Sequence, residues 1–346
     1  MNVHTESKIV PSHQKKNTVI AYIVLLVLLM GTLLCSVLFG AESINLCDLL
    51  AKDGDSGASV TKMIFMQIRL PRTLLAALTG ILLAGAGATF QLYFRNPLAE
   101  PGIMGISSGA TLGAVIVSSF SIFMGTVISV NIGAFIGALV AGLIVTVISG
   151  RKSGPAATVA LLLCGTALGT FYSALTSLIL AVKSKELHTM YMWMLGSFSG
   201  RGWEELSFIV IPAVISLILM FFAGRQLDLL SGGEMTAASL GVEVTKVRFL
   251  VMVAGSLASS AAVCAGGTIG FVGLIAPHII RRVFGAKGRT LIPLSMIGGA
   301  ALMLGADTIA RVVARPAEIP VGTITALLGA PFFISLVFSK RGLRNG

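Results

Sequence analysis

Charge is the scarcest commodity in this 346-residue chain. Asp, Glu, Lys and Arg together make up 11% of it, where a soluble domain carries roughly a quarter. With 55% hydrophobic residues and a mean hydropathy of +0.94, a water-soluble fold is excluded. The four cysteines, Cys35, Cys47, Cys164 and Cys264, show no C-x-x-C spacing, and three fall in apolar runs, so they read as small buried hydrophobes. Histidine is equally sparse: His4 and His13 lie in a polar tail, His188 in a loop, and His278 stands alone beside Pro277. No zinc-protease spacing, nucleophile elbow or pair of carboxylates at helical spacing is present, which leaves no equipment for covalent catalysis or a bound metal. There is no G-x-x-x-x-G-K-[ST] and hence no cradle for ATP phosphates in this chain. Acids are missing from the apolar runs except for Asp307, near one helix end. An ion-coupled carrier needs a deep ionisable group, so that reading rests on Asp307 alone and is the weaker alternative.

What remains is apolar length. A helix rises about 1.5 Å per residue across a hydrocarbon core of about 30 Å. On that measure ten spans are expected, near 19–40, 69–92, 104–121, 126–149, 157–182, 206–224, 248–265, 268–284, 291–310 and 322–338. Forty glycines suit helices whose backbones approach closely in a membrane. The fold class is therefore all-α and polytopic. Residues 1–18 form a basic cytoplasmic tail, 19–340 the transmembrane domain, and 225–247 its longest inner loop.

Basic residues set the orientation. With the N-terminus inside, the inner side carries sixteen of the twenty-five Lys and Arg and five of the fourteen acids. The outer side is then neutral and the whole net charge of +11 lies inside. The excess reports topology and implies no nucleic-acid partner. Both termini are expected on the cytoplasmic side. The first run is longer than a signal-peptide core and lacks a small-x-small cleavage site, so it reads as a retained helix. Met190-Tyr191-Met192-Trp193-Met194 has the makeup of an interfacial aromatic belt.

Two blocks carry the most information. Arg69–Ala110, RLPRTLLAALTGILLAGAGATFQLYFRNPLAEPGIMGISSGA, starts with arginines around Pro71, crosses a span and breaks at Asn96-Pro97. A second, GGTIGFVGLIAPHIIRRVFG, runs from Gly266 to Gly285. Together they resemble the membrane permeases of ABC importers for iron–siderophore complexes, haem and vitamin B12, over residues from about Ile68 to the end. The resemblance implies a homodimer with the path along its axis, two ATPase subunits on the inner loops, a binding protein on the outer face, and a bacterial or archaeal inner membrane. It implies an iron(III) chelate as cargo, with cobalamin as the alternative within the family, and ATP held by the partner, so that this chain carries no cofactor.

The resemblance also assigns residues. Arg69, Arg72 and Arg311 would hold carboxylates of the binding protein; from their positions alone they read as headgroup anchors. Asp307 and Glu318 are expected to pair locally with Arg311 or Arg315. Leu230-Ser231-Gly232-Gly233-Glu234 imitates an ABC ATPase signature by letters only, since no phosphate loop accompanies it. That stretch reads instead as a short helix with an acid at its start and a glycine at its end. By resemblance it couples to the ATPase, through Glu234, Met235, Ala238, Leu240 and Gly241. Asn96 and Leu98 become exit-gate residues and Thr158 a second constriction, although Val159 and Ala160 make that wall less polar than in some relatives. The path is expected to be lined by small, weakly polar side chains.

Overall fold

The computed structural model describes residues 12–40, 56–124, 130–149, 155–182, 187–285 and 288–338. Among them every regular element is helical. The helices are α1 (Ser12–Leu38), α2 (Ser56–Ile64), α3 (Leu70–Tyr93), α4 (Ile106–Met124), α5 (Val130–Ser149), α6 (Pro155–Val182) and α7 (Leu187–Met194). They continue with α8 (Trp203–Leu230), α9 (Glu234–Ser239), α10 (Val244–Gly266), α11 (Val272–Phe284), α12 (Leu291–Val312) and α13 (Val321–Phe338).

Among the described residues seven stretches are long and apolar enough to span a membrane: Thr18–Leu38, Val60–Tyr93, Val130–Ile148, Val159–Val182, Trp203–Leu230, Val244–Gly266 and Gly288–Val312. Shorter apolar helices cover Ile106–Ser119 and Val321–Ser335. With the 13-residue α11 these correspond to the ten expected spans. Helices suit this setting because each satisfies its own backbone polar groups where no water can.

Several boundaries differ from expectation. The second span starts earlier, because α2 runs through a π-helical turn at Phe65–Arg69 into α3. The sixth extends to Leu230: Arg225, Gln226 and Asp228 end the hydropathy signal without ending the helix. The inner loop expected over 225–247 therefore shrinks to Ser231–Glu243, with α9 inside it. Helix α11 begins at Val272, four residues later than its apolar run. Of the expected tail, residues 1–11 lie outside the described residues, while 12–18 already belong to α1.

Helices α3 and α10 form the centre; each spanning window is 78% buried, against 11% for α1 and 17% for α6. Helix α3 packs on α8, α10, α11 and α12, while α4 and α5 pair and lean on α10 and α6. Glycine permits the tightest crossings. A Cβ on Gly80 would overlap the carbonyl of Gly299, and one on Gly87 that of Gly273. Between α4 and α5, Gly109 and Gly113 meet Gly133 and Gly137 in the same manner. Small residues at such seams let helices gain dispersion contact where lipid offers no hydrophobic drive.

Helix ends gather on two faces. The proximal face holds the start of α1, the ends of α3 and α8, α9, and the end of α11. The distal face holds the ends of α1, α10 and α12 and the start of α8.

Candidate functional site

On the distal face the structure brings two of the expected arginines onto one carboxylate. Asp307, in α12, is fully buried. Arg72, at the start of α3, donates to it from Nε and from Nη2, the latter at 2.9 Å. Its Nη1 holds both oxygens of Glu318, at 3.0 and 2.9 Å. Arg311, one turn after Asp307, reaches the same carboxylate at 3.0 Å. It also donates to the Ser36 carbonyl at 3.0 Å and hydroxyl at 2.9 Å, near the end of α1. Ser36 in turn shares a hydrogen bond with Thr73. Arg69 donates to the carbonyls of Val37 and Leu38 at 2.7 and 2.8 Å, at the helix end whose last carbonyls lack helical donors.

Arg69, Arg72 and Arg311 are thus only 5, 7 and 3% exposed. They knit α1, α3 and α12 together, and their guanidinium groups are occupied within the chain. Asp307 pairs with Arg311 as expected, but Glu318 pairs with Arg72, a contact spanning 246 residues. Arg315 is exposed. Because Asp307 is held by two guanidinium groups, it is no free acid for ion binding. A buried carboxylate so paired tolerates its desolvation only through these bonds.

On the proximal face α9 stands out from the fold. Met235 is 89% and Leu240 61% exposed, and Glu234, Ala238 and Gly241 are exposed as well; only Ala237 is buried against the core. Gly233 and Gly241, with φ of +114° and +85°, turn the chain at each end, a conformation costly for other residues. Apolar side chains offered to solvent by a short, glycine-bounded helix mark a contact surface.

The segment expected to form the gate follows α3 on the same face. The Asn96 side chain accepts the Leu98 N–H at 2.9 Å, closing a side-chain turn, and Leu98 is 37% exposed. Thr158 belongs to the first turn of α6 by its backbone; its side chain lies outside the described residues. Sequence reasoning missed the struts around this segment. Arg95, at φ +49°, donates to the Leu230 carbonyl at the end of α8. Arg248 donates to the Tyr93 hydroxyl at 2.7 Å, and Asp228 accepts the Arg289 N–H at 2.7 Å. The extended helical register through Asp228 was the signal available. Glu100, farther along this segment, is half-buried. Burial raises its carboxyl above the ordinary range, and a hydrogen bond from the Phe271 N–H opposes that shift.

Between the faces, α6 exposes Thr166, Ala167, Thr170, Ser173, Ala174 and Ser177. Their spacing of i, i+1, i+4, i+7, i+8 and i+11 follows one helical face. The same helix also exposes Leu163, Phe171 and Leu178, so the small hydroxyl and methyl side chains form a stripe beside an apolar one, whereas α8 exposes Ile211, Ile218, Phe221 and Phe222.

Residues 26–339 match the FecCD transport family. The chain is 42% identical over 272 residues to a cobalamin import system permease of Halobacterium salinarum, covering 78% of this chain and 72% of that one. It is 40% identical to a hemin transport system permease of Yersinia pestis, covering 82% and 85%. To an Fe(3+)-citrate import system permease of Bacillus subtilis it is 36% identical, covering 93% and 96%. A solved structure described as an inward-facing metal-chelate type ABC transporter superposes with a TM-score of 0.78 at 33% identity, covering 91% of this chain and 98% of that one.

Proposed function

The chain belongs to the FecCD transport family, and from that premise we propose that it is the permease subunit of an ATP-driven importer for an iron(III) chelate. Two copies stand side by side with the path between them. The proximal face is cytoplasmic, in agreement with the excess of basic residues there, and both termini lie on that side of an inner membrane. Two ATPase subunits seat on α9, and a substrate-binding protein docks on the distal face.

The observation that carries this reading is the hydroxyl and small-residue stripe of α6. A spanning helix surrounded by lipid gains nothing from exposed Thr166, Thr170 and Ser173. Facing a second copy across a wet path, the same residues line a corridor with no tight binding pocket. Cargo of different shapes then passes the same wall once a separate protein has selected it. Iron chelates fit the relatives named for hemin and Fe(3+)-citrate; the Halobacterium salinarum relative supports cobalamin as the second reading.

For the distal face, Arg69, Arg72 and Arg311 serve docking by bracing the rim that the binding protein meets. A partner carboxylate gains a direct contact where a guanidinium group exchanges it for a present partner. For the proximal face, the exposed Met235 and Leu240 fill a groove of the ATPase, and its motion reaches Asn96 and Leu98 across the Arg95 strut.

Cells lacking the gene and cells complemented with it are offered labelled ferric siderophore, haem and cobalamin in parallel. Complementation-dependent uptake of an iron chelate supports the reading, and uptake of cobalamin alone selects the second. Uptake driven by a sodium or proton gradient in liposomes without any ATPase would overturn both.

A further inference from the structure

The gate segment does not end at the proximal face. Beyond Leu98 the chain turns back into the fold, and Gly105, at φ +70°, lies against the backbones of Gly165 and Gly169. Those residues are ten and fourteen positions into α6, about 15–21 Å from its start at 1.5 Å per residue. Irregular backbone at such depth is tolerated only where protein surrounds it or a cavity adjoins it. Glu100 is the acid on this segment. Its carboxylate and Phe271 line the same cavity, and the Phe271 N–H lies within its reach at the start of α11, where Phe271 is left-handed at φ +68°. Carboxylate against the positive end of a helix is a favourable pairing.

Two further ties join the same pieces. Gln91, near the end of α3, donates to the Gly273 carbonyl at 3.3 Å and accepts from Arg281 at 3.4 Å. The backbones of Gly87 and Gly273 also meet directly. Helix α11 therefore reaches from the gate segment at its start to Arg281 and Arg282 in its last turn.

Beside this joint lies a cavity of about 190 Å³, lined by Glu100, Ser107, Ser259, Gly270 and Phe271 among others. Ser259 is 3% exposed and its hydroxyl has no hydrogen-bond partner. An orphaned buried hydroxyl asks for an explanation. Here it shares the wall of that cavity with the Glu100 carboxylate.

We propose that Glu100 is a positioning residue of the transport cycle, a latch with two seats, on the premise that the chain is the importer permease described above. In the seat described here the carboxylate holds the Phe271 N–H and fastens the Asn96–Leu98 segment to α11. In the second it crosses the cavity to the hydroxyls of Ser259 and Ser107, and the gate segment moves independently of α11. Each seat supplies the carboxylate with a donor, which gives the joint two discrete arrangements in place of a continuum.

The test uses the complete importer, permease with ATPase and binding protein, in proteoliposomes, and reads cargo moved per ATP hydrolysed alongside the folded fraction. Glu100→Ala is expected to lower cargo per ATP about tenfold, the worth of one charge-assisted hydrogen bond, while ATP hydrolysis continues. Glu100→Asp is expected to restore part of the ratio. Ser259→Ala leaves the Phe271 contact intact and is expected to lower the ratio about threefold, as loss of a neutral hydrogen bond does. Uptake and hydrolysis falling in parallel would mark a purely structural role and overturn the latch, as would a wild-type ratio in Ser259→Ala. Should Glu100→Ala not fold, Ser259→Ala decides alone. A wild-type complex that moves no cargo removes the importer reading and the latch with it, whereas working wild type with unaffected variants removes only the latch.

Discussion

Arg72 and Asp307 are 235 residues apart in the chain and 2.9 Å apart in the fold. The pair closes the first spanning helix of the core onto the last long one, in a place from which solvent is excluded. Its energetic character follows from that burial: each charge is tolerable only while the other is present.

Asp307→Ala is therefore expected to lower stability by about 3–5 kcal/mol, since Arg311 loses its carboxylate and Arg72 is left with Glu318 alone. The double variant Arg72→Met with Asp307→Leu is expected to lose less than Asp307→Ala alone. Thermal unfolding in detergent measures both. A double variant as unstable as the single would contradict the pairing.

Arg69→Glu tests docking against bracing. It replaces a guanidinium that satisfies the Val37 and Leu38 carbonyls and is expected to weaken capture of the binding protein. Rescue by a reversed charge on the partner establishes direct contact. Lost capture with a lowered melting temperature and no rescue establishes the bracing role. Arg315→Glu, at an exposed position, is expected to leave stability within about 0.5 kcal/mol.

Leu240→Asp is expected to abolish ATPase association and uptake while the permease folds normally, because the exposed side chain contributes little to its own fold. Co-purification of the ATPase from membranes reads this directly. Retained association would remove α9 from the coupling surface.

The stripe on α6 makes a prediction about water. In a background without native cysteines, Thr170→Cys and Ser173→Cys are expected to react with a membrane-impermeant maleimide. Ile211→Cys, on the apolar face of α8, is expected to resist it. Equal reactivity at all three positions would contradict a wet path along α6.

Gly87→Ala is expected to destabilise by about 1–3 kcal/mol, the usual cost of overpacking. The added methyl overlaps the Gly273 carbonyl, and backbone cannot rotate away. Gly31→Ala, with nothing near its Cβ, is the control. Melting temperatures of the two variants decide it.

Much of this fold was legible because a membrane punishes exposed backbone, so spanning length appears as apolar length. Errors arose where a helix outlived its hydropathy. Arg225 and Asp228 carry α8 beyond the run that announced it, and Lys62 and Gln67 hid the approach to α3. Helix α9 was readable from Gly233 and Gly241, whose turns bound it. The arginine cluster was half readable. Position and charge could be listed, but which carboxylate meets which guanidinium depends on three helices converging from distant parts of the sequence. Glu100 was illegible for the same reason. Placed in a loop by the turn residues Asn96 and Pro97, it acquires its setting only when Gly105 tucks the segment against α6.

Helix α3 touches α12 and α11 through bare backbone at Gly80 and Gly87, with no side chain between. Such a seam has no rotamers to rearrange and nothing that can bend by degrees. Whatever shifts during a turnover, these three helices travel as one casting. The fault lines must run elsewhere, along interfaces where side chains can trade places, as at α6 and at the ends of the gate segment. A drug or a mutation aimed at the seam would jam the whole piece. One aimed at the fault lines would change only its timing.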